Sequence, residues 1–224
     1  IGADLDSNEI ASVYKSFGIE RGDVKELTVT NADERKYLEG QVDESLIGTR
    51  SISCIYIEAQ GSGEGLDVSV DNITWCTADM YMNAMVTAGI TDANVKIVAP
   101  YKVSGTAALT GIYMAYEDIT GKKLDEDAKL VGTKELTITA ELADEIGSAD
   151  STAIVNELKL ILDQTKDMTD DELREQIKQI AEKYEVTLND SQIEQLISLC
   201  RSLEKLDVSA LKEKVEQVQQ YIKN

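Results

Sequence analysis

The stretch that decides the fold is NITWCTADMYMNAMVTAGITDANVKIVAPYKVSGTAALTGI, residues 72–112. Its first half predicts a helix over about Ala78–Ala88, because Thr77 is a preferred N-cap and the apolar residues after it recur at helical spacing. Gly89 directly after the last of them supplies the left-handed conformation that ends helices. A buried strand around Val95–Val98 follows, since this segment is short, β-branched and closed by a proline.

A second helix follows this strand. Ser104-Gly105-Thr106 opens it, and its apolar face consists of Leu109, Ile112, Tyr113 and Tyr116, with Gly121 behind it as the stop signal. The stretch therefore predicts a sheet covered by helices.

The first 40 residues repeat this order of elements. A helix ends at Gly18, Val24–Thr30 alternates like a strand, and a short helix over Ala32–Leu38 follows. An offset of 71 residues places Gly18 on Gly89, with a helix before it and a strand after it in both copies. This indicates either an internal helix-strand-helix repeat or a match that any helix-glycine-strand unit would give.

Two β-rich runs lie between these modules. Ser51–Ala59 and Leu66–Ile73 flank Gly61–Gly65, which predicts a hairpin with a glycine-rich tip. The glycine spacing resembles a nucleotide-binding loop, but no helix follows it to face a phosphate. We therefore interpret it as the hairpin tip.

The chain after Gly121 changes to charged, helical patterns. A segment capped by Asp125 or Asp127 runs to Ile146, with helix propensity interrupted at Thr137–Thr139. Four further one-sided apolar patterns follow, around Ile154–Leu162, Leu173–Tyr184, Ile193–Leu203 and Leu211–Ile222. Such helices must form a bundle, pack on the sheet or bind a partner through their apolar faces.

These patterns together predict an α+β protein. Residues 1–121 are expected to form a mixed α/β sheet domain with two helix-strand-helix modules and a hairpin. Residues 122–224 are expected to form a helical bundle or a helical extension.

Composition excludes several functional classes. The net charge is −20, with 42 acidic and 22 basic residues and neither half basic, so the lysine and arginine footprint of a nucleic-acid-binding protein is missing. Histidine is absent, which excludes the usual zinc sites and the Ser-His and Cys-His nucleophile pairs, and we expect no metal and no cofactor.

Asp4–Asn8 resembles the start of a calcium loop but lacks the required glycine and closing glutamate. The sequence contains no run of 18 apolar residues, so it predicts no membrane-spanning helix.

The three cysteines are too few for a disulfide framework. Cys200 lies on the apolar face of its helix, which predicts a buried thiol. The register of the predicted hairpin places Cys54 opposite Val70, too far along the strand to bond to Cys76.

The best candidate for a small-ligand site is the strand-loop-helix junction at Ser104, Gly105 and Thr106. Free N–H groups at a helix N-terminus attract anions, glycine permits close approach, and Lys102 lies nearby in sequence. The alternative is that Ser104 or Thr106 only caps the helix.

Two other chemistries remain open. Trp75 and Tyr101 could form an aromatic platform for a sugar or a peptide, although aromatics at such spacing commonly belong to a core. A carboxylate-dependent glycoside hydrolase needs only two acidic residues, but 42 candidates give the sequence no means to choose the pair.

Several motifs in order resemble one family. They are Gly2-Ala3-Asp4-Leu5, residues 47–53, residues 82–90, Ala99-Pro100 and residues 103–111. Together they resemble the exported proteins of low-GC Gram-positive bacteria grouped as domain of unknown function 1002, with a looser match from Lys122 onward. The resemblance implies a signal peptide upstream of Ile1 and a location outside the membrane, and it implies no catalytic residue.

Two functional classes follow. The first is an exported, non-catalytic binding module of the cell envelope, with a cell-wall or protein partner held by the amphipathic C-terminal helices. The second is a carboxylate-dependent hydrolase of cell-wall glycan, which would require two carboxylates about 5 to 10 Å apart in a cleft.

Overall fold

The computed structural model describes residues 1–40 and 44–222, and only the backbone of residues 45–46 and 219–222. The predicted core position Ile222 therefore lies outside the described side chains. Within these ranges the elements are α1 Ser7–Phe17, α2 Asn31–Leu38, α3 Glu44–Ile47, β1 Cys54–Ala59, β2 Leu66–Ile73, α4 Ala78–Ala88, β3 Ala93–Val103, α5 Thr106–Thr120, α6 Glu126–Ile146, α7 Ser148–Leu160, α8 Leu162–Thr165, α9 Asp170–Lys183, α10 Asp190–Leu203 and α11 Val208–Ile222. The predicted class is confirmed: a mixed sheet with helices comes first, and helices follow.

The sheet has three strands in the order β1-β3-β2. β1 runs antiparallel to β3, with Cys54 opposite Val98, and β2 runs parallel to β3, with Val68 opposite Val95. The predicted hairpin is therefore wrong, because β3 lies between its two strands. The crossover helix α4 explains this arrangement, since parallel neighbours need a connection of about a dozen or more residues.

The predicted strand Val24–Thr30 is also wrong. Only Val29 forms a β-bridge, to Gly2, and Val24 is 38% exposed. The backbone of Val29 bonds instead to Ile1 and Ala3, at 2.8 Å each. The proposed repeat is consequently limited to the helix ends, where Gly18 and Gly89 both adopt left-handed conformations.

β3 is longer than the strand predicted around Val95–Val98, and it continues through Pro100. A proline lacks the N–H that a central strand donates, and it is tolerated where pairing lapses. The pairing with β1 stops at Val98, and the pairing with β2 shifts register between Asp71 and Ile73. Pro100 therefore lies where the ladder is already interrupted.

Two hydrophobic clusters fill the protein, and α6 belongs to both. Leu136 and Ala140 pack in a cluster with residues of α4, α5 and the sheet, whereas Ile138 and Leu142 pack in a second cluster with α7, α9, α10 and α11. On the opposite face of the sheet, Phe17 of α1 packs against β1 and β3. The division at residue 121 into two domains stays a prediction, and α6 connects the two cores.

The C-terminal helices bury their apolar faces against one another. Leu173, Ile177, Leu196 and Leu203 are each 0% exposed in the second cluster. These helices were predicted to form a bundle, to pack on the sheet or to bind a partner. Their apolar faces are used to form a bundle, so a partner would have to contact another surface. None of the described helices is both long and apolar enough to cross a bilayer.

All three cysteines are buried and free, which confirms the predicted burial of Cys200 and the predicted absence of a Cys54–Cys76 bond. Burial raises the pKa of the Cys76 and Cys200 thiols to about 12. The register argument for Cys54 was nevertheless wrong, because its cross-strand neighbour is Val98 of β3.

A fully buried ion pair joins the two clusters. The Lys159 Nζ of α7 lies 2.8 Å from the Glu135 Oε1 of α6 and 3.1 Å from the Asn83 carbonyl oxygen of α4. The other Glu135 oxygen accepts a hydrogen bond from the Thr87 hydroxyl. Lys159 and Glu135 are 0% and 1% exposed, so each charge depends on the other for its stabilisation.

We expect Lys159→Met to destabilise the protein by about 3–5 kcal/mol, because it leaves the Glu135 charge buried without its cation. The double variant Lys159→Met/Glu135→Gln should recover part of this loss, because it removes both charges. Urea denaturation of the three proteins measures the effect. A single variant as stable as the native protein would show that the pair does not hold the helices together.

Candidate functional site

The predicted anion site at the start of α5 is closely packed. Gly105 is the N-cap, with φ of +96°, and no side chain caps the helix. A Cβ at Gly105 would lie 2.5 Å from both the Ile73 Cγ2 and the Tyr81 hydroxyl oxygen. Tyr81 donates a hydrogen bond to the Gly105 carbonyl oxygen at 2.5 Å, and Thr106 is 4% exposed. Ser104 is half-buried and Lys102 is exposed. The structure therefore places these residues together but fills the space beside Gly105 with protein.

We expect Gly105→Ala to cost more stability than Gly121→Ala, although both glycines have positive φ. At Gly121 no atom lies within 4 Å of the added Cβ, so only the backbone strain of about 1–2 kcal/mol applies. At Gly105 the clash with Ile73 and Tyr81 adds to the strain. Chemical denaturation of both variants separates the two effects, and equal losses would contradict the close packing.

The two residues of the predicted aromatic platform contact different partners. The Trp75 indole donates a hydrogen bond to Asp144 of α6 at 2.9 Å, and Trp75 packs beside the sheet cluster. Tyr101 is 41% exposed, and its hydroxyl accepts a hydrogen bond from Arg50 at 3.2 Å. A joint platform stays a prediction.

An apolar slot of about 300 Å³ runs beside β1, between Ile55 and Ile57 of that strand, Leu27 and the α5 residue Gly111. Ile1 also lines the slot. We assign the slot no small-molecule ligand.

Glu34 has the most unusual environment of the described carboxyl groups. It is 1% exposed, and its Oε1 has no hydrogen-bond partner. Burial is the main cause that raises its pKa to about 7, and the nearby carboxylates of Asp4 and Asp33 act in the same direction. It lines neither the slot beside β1 nor the larger cleft that is described below.

A carboxyl group whose folded pKa is raised contributes stability that is complete below its unfolded pKa of 4.5 and is lost as the pH rises through 7. We therefore expect the free energy of unfolding of the native protein to fall by roughly 3 kcal/mol between pH 4.5 and pH 8 because of this group, and the Glu34→Gln variant should not show this fall. Urea denaturation at both pH values measures it, with the exposed Glu20→Gln as the matched control. An identical pH dependence in the native protein and the Glu34→Gln variant would contradict the raised pKa.

A cleft larger than the slot beside β1 lies where the sheet half meets the helical half. Its volume is about 770 Å³, and its walls come from the loop after β1, the end of α4, the α5–α6 linker and the start of α11. We call it the junction cleft. Four lysines line it: Lys122, Lys123, Lys205 and Lys214.

The lysines of the junction cleft differ in whether a carboxylate group lies close to them. Among the described residues, Lys122, Lys205 and Lys214 have no carboxylate oxygen within 4 Å, whereas Lys123 lies 3.4 Å from Glu117. Seven of the twelve other lysines in the described ranges form such pairs. Lys122, Lys205 and Lys214 are therefore available to an anionic ligand.

The aspartates that line the same cleft mostly bind the backbone. Asp125 accepts from the Ala128 N–H at 2.8 Å, and Asp207 accepts from the Ala210 N–H at 3.0 Å. Partial burial favours a higher pKa for Asp92, but hydrogen bonds from the Gly65 N–H, the Thr91 hydroxyl and the Gly63 N–H outweigh it and lower the pKa.

Sequence reasoning missed this cleft for an identifiable reason. Lys122-Lys123 and Lys205 are more than 80 residues apart, and only the packing of α11 on α4 brings them to one cavity. The adjacent pair Lys122-Lys123 directly after Gly121 was the one local signal, in a chain where acids outnumber bases.

Comparisons with known proteins agree with the resemblance found in the motifs. The chain is 37% identical over 211 residues to "Uncharacterized protein YpuA" of Bacillus subtilis (strain 168), which covers 93% of this chain and 72% of that protein. No solved structure shows a significant match. The family described as "Protein of unknown function (DUF1002)" matches residues 1–221, and the chain therefore belongs to it.

Proposed function

We propose that this protein is an exported, non-catalytic binding module of the cell envelope and that it holds its ligand in the junction cleft. The observation that supports this most directly is that Lys122, Lys205 and Lys214, which have no carboxylate partner among the described residues, line the same cleft. Clefts between packed units are common places for ligands. Residues of both halves of the chain line the cleft, so one ligand could contact both.

A carboxylate-dependent hydrolase is less well supported. Such an enzyme needs one carboxyl group with a raised pKa beside the scissile bond and a second carboxylate nearby. In the junction cleft the pKa of Asp92 is lowered, and Asp125 and Asp207 cap helices. Glu34, with its raised pKa, lies buried outside the cleft.

The location outside the membrane is part of the proposal. It rests on the resemblance to exported Gram-positive proteins, and the family description itself gives no location. Fractionation of cells that make the full-length protein tests it. Recovery of the protein only from the cytoplasmic fraction would contradict it.

The function is tested by co-sedimentation of the purified protein with an insoluble cell-envelope preparation. We expect the double variant Lys122→Glu/Lys205→Glu to lose most of the binding, because it reverses two exposed charges that line the cleft. Lys102→Glu is the matched control, since Lys102 is also exposed but lies at the end of β3.

Two results would contradict the proposal. Equal binding of the native protein and the double variant would remove the junction cleft from the interaction. Release of new reducing ends from the envelope glycan by the purified protein would support the hydrolase instead.

A further inference from the structure

The slot beside β1 has the shape of one further strand of the sheet. We propose that it receives an extended strand of a partner protein, which pairs with the free edge of β1 and lies between β1 and residues 24–29. None of the described residues lines both this slot and the junction cleft. The inference therefore concerns a second site and does not depend on the proposed function.

The residues that line the slot show that it faces the edge of β1 and not one of its faces. They include the six consecutive positions 53–58, whose side chains point alternately to the two faces of the sheet. A pocket on one face would contact every second residue. Opposite β1, residues 24–27 contribute four consecutive positions as well. The slot therefore separates two stretches of backbone.

Both stretches of backbone have groups that are free to pair. β1 forms its ladder with β3, and no other backbone–backbone hydrogen bond reaches residues 54–59 within the described chain. An antiparallel strand directs alternate N–H and C=O groups to each side, so half of those of β1 face away from β3. Residues 24–26 form no backbone–backbone hydrogen bond in the described ranges. An inserted strand could therefore bond on both sides, as in other cases of strand addition to a sheet edge.

An extended segment of this chain already pairs in this way at one end of the slot. The Ile1 carbonyl oxygen accepts from the Val29 N–H, and the Ala3 N–H donates to the Val29 carbonyl oxygen, at 2.8 Å each, in a parallel bridge. On its other side the Asp4 N–H donates to the Ser51 carbonyl oxygen at 3.2 Å. The gap thus accepts extended backbone that is bonded on two sides. A partner strand should run in the same direction, parallel to the segment of Val29.

Two helices cover the slot and limit the side chains that a partner strand can carry. α5 contributes the small residues Ala108, Gly111 and Ala115, whereas α1 contributes Tyr14 and Phe17 on the opposite face of the sheet. Both walls are therefore largely apolar. A partner strand should carry branched apolar residues toward α5, where the small side chains leave room, and smaller residues toward α1.

The mouth of the slot is bounded by exposed apolar side chains. Val24 and Ile119 both line it and are 38% and 50% exposed, and they are two of the three large apolar side chains that are exposed in the described chain. Their sequence neighbours Lys25 and Asp118 form an ion pair at 2.5 Å, which connects the outer stretch to α5. Exposed apolar side chains beside a groove are typical of an interaction site. A docked strand would cover both of them.

The test is a calorimetric titration of the purified protein with a blocked octapeptide of alternating valine and threonine that has a lysine at each end. The lysines suit a protein with a net charge of −20. The matched peptide has the same sequence with N-methyl groups on three alternate amides, which removes the backbone donors along one edge. We expect it to bind about tenfold more weakly or worse, because three hydrogen bonds are lost. Only the unmethylated peptide should slow amide exchange in β1.

Three variants locate the binding. Ala115→Phe should weaken the binding of the unmethylated peptide about tenfold or more, because Ala115 lines the slot and a phenyl ring would fill it. Ile119→Ser, at an exposed position where folding is little affected, should weaken it about twofold to fivefold. Ala153→Phe is the matched control, since Ala153 is also half-buried in a helix but lines neither the slot nor the junction cleft. Unfolding midpoints confirm that all three are folded.

Several results would overturn the inference. Equal affinity for the two peptides, or no binding of either, would show that backbone pairing in the slot does not occur. Unchanged binding in both Ala115→Phe and Ile119→Ser, or an equal loss in Ala153→Phe, would place the peptide elsewhere. Dimers of the native protein in analytical ultracentrifugation that Ala115→Phe abolishes would assign the slot to a second copy of this chain instead of a partner.

Discussion

The buried Lys159–Glu135 pair is the constraint on which the arrangement of this protein depends. It holds a residue of α7 to a residue of α6, and its hydrogen bonds to Thr87 and Asn83 extend to α4. A buried charge without its partner costs several kcal/mol, so these three helices can pack in only one register. Because α11 packs on both α4 and α7, the same register determines where the junction cleft opens.

Close packing around α6 reinforces this register. A Cβ at Gly132 would lie 2.7 Å from the Ala84 carbonyl oxygen and from the Tyr113 hydroxyl oxygen, so glycine allows α4 and α6 to approach. Helix propensity is low at Thr137–Thr139, yet the helix continues through these residues to Ile146, as expected. The Thr137 and Thr139 hydroxyls bond to the carbonyl oxygens four residues earlier, at 3.1 and 2.6 Å, which satisfies them inside the core.

The cap signal at Thr77 was reliable, whereas the alternation at Val24–Thr30 and the pairing of distant strands were not. Thr77 caps the helix that the pattern assigned to it, since a cap depends on a few neighbouring residues. The order of strands depends on pairing between distant residues, and the hairpin prediction joined the nearest two strands. The order β2, α4, β3 already contained the signature of a parallel β-α-β unit, which would have placed β3 next to β2.

The candidate site was beyond sequence reasoning for a related reason. Counting charges in each half shows only acidity, while the junction cleft brings together lysines that are more than 80 residues apart in the sequence. Its two walls belong to cores that meet through α6. A ligand that contacts both walls binds only when the halves are docked, so its binding free energy is added to the stability of that docking. The buried ion pair, which keeps the halves docked in the absence of a ligand, therefore also preserves the shape of the cleft before binding.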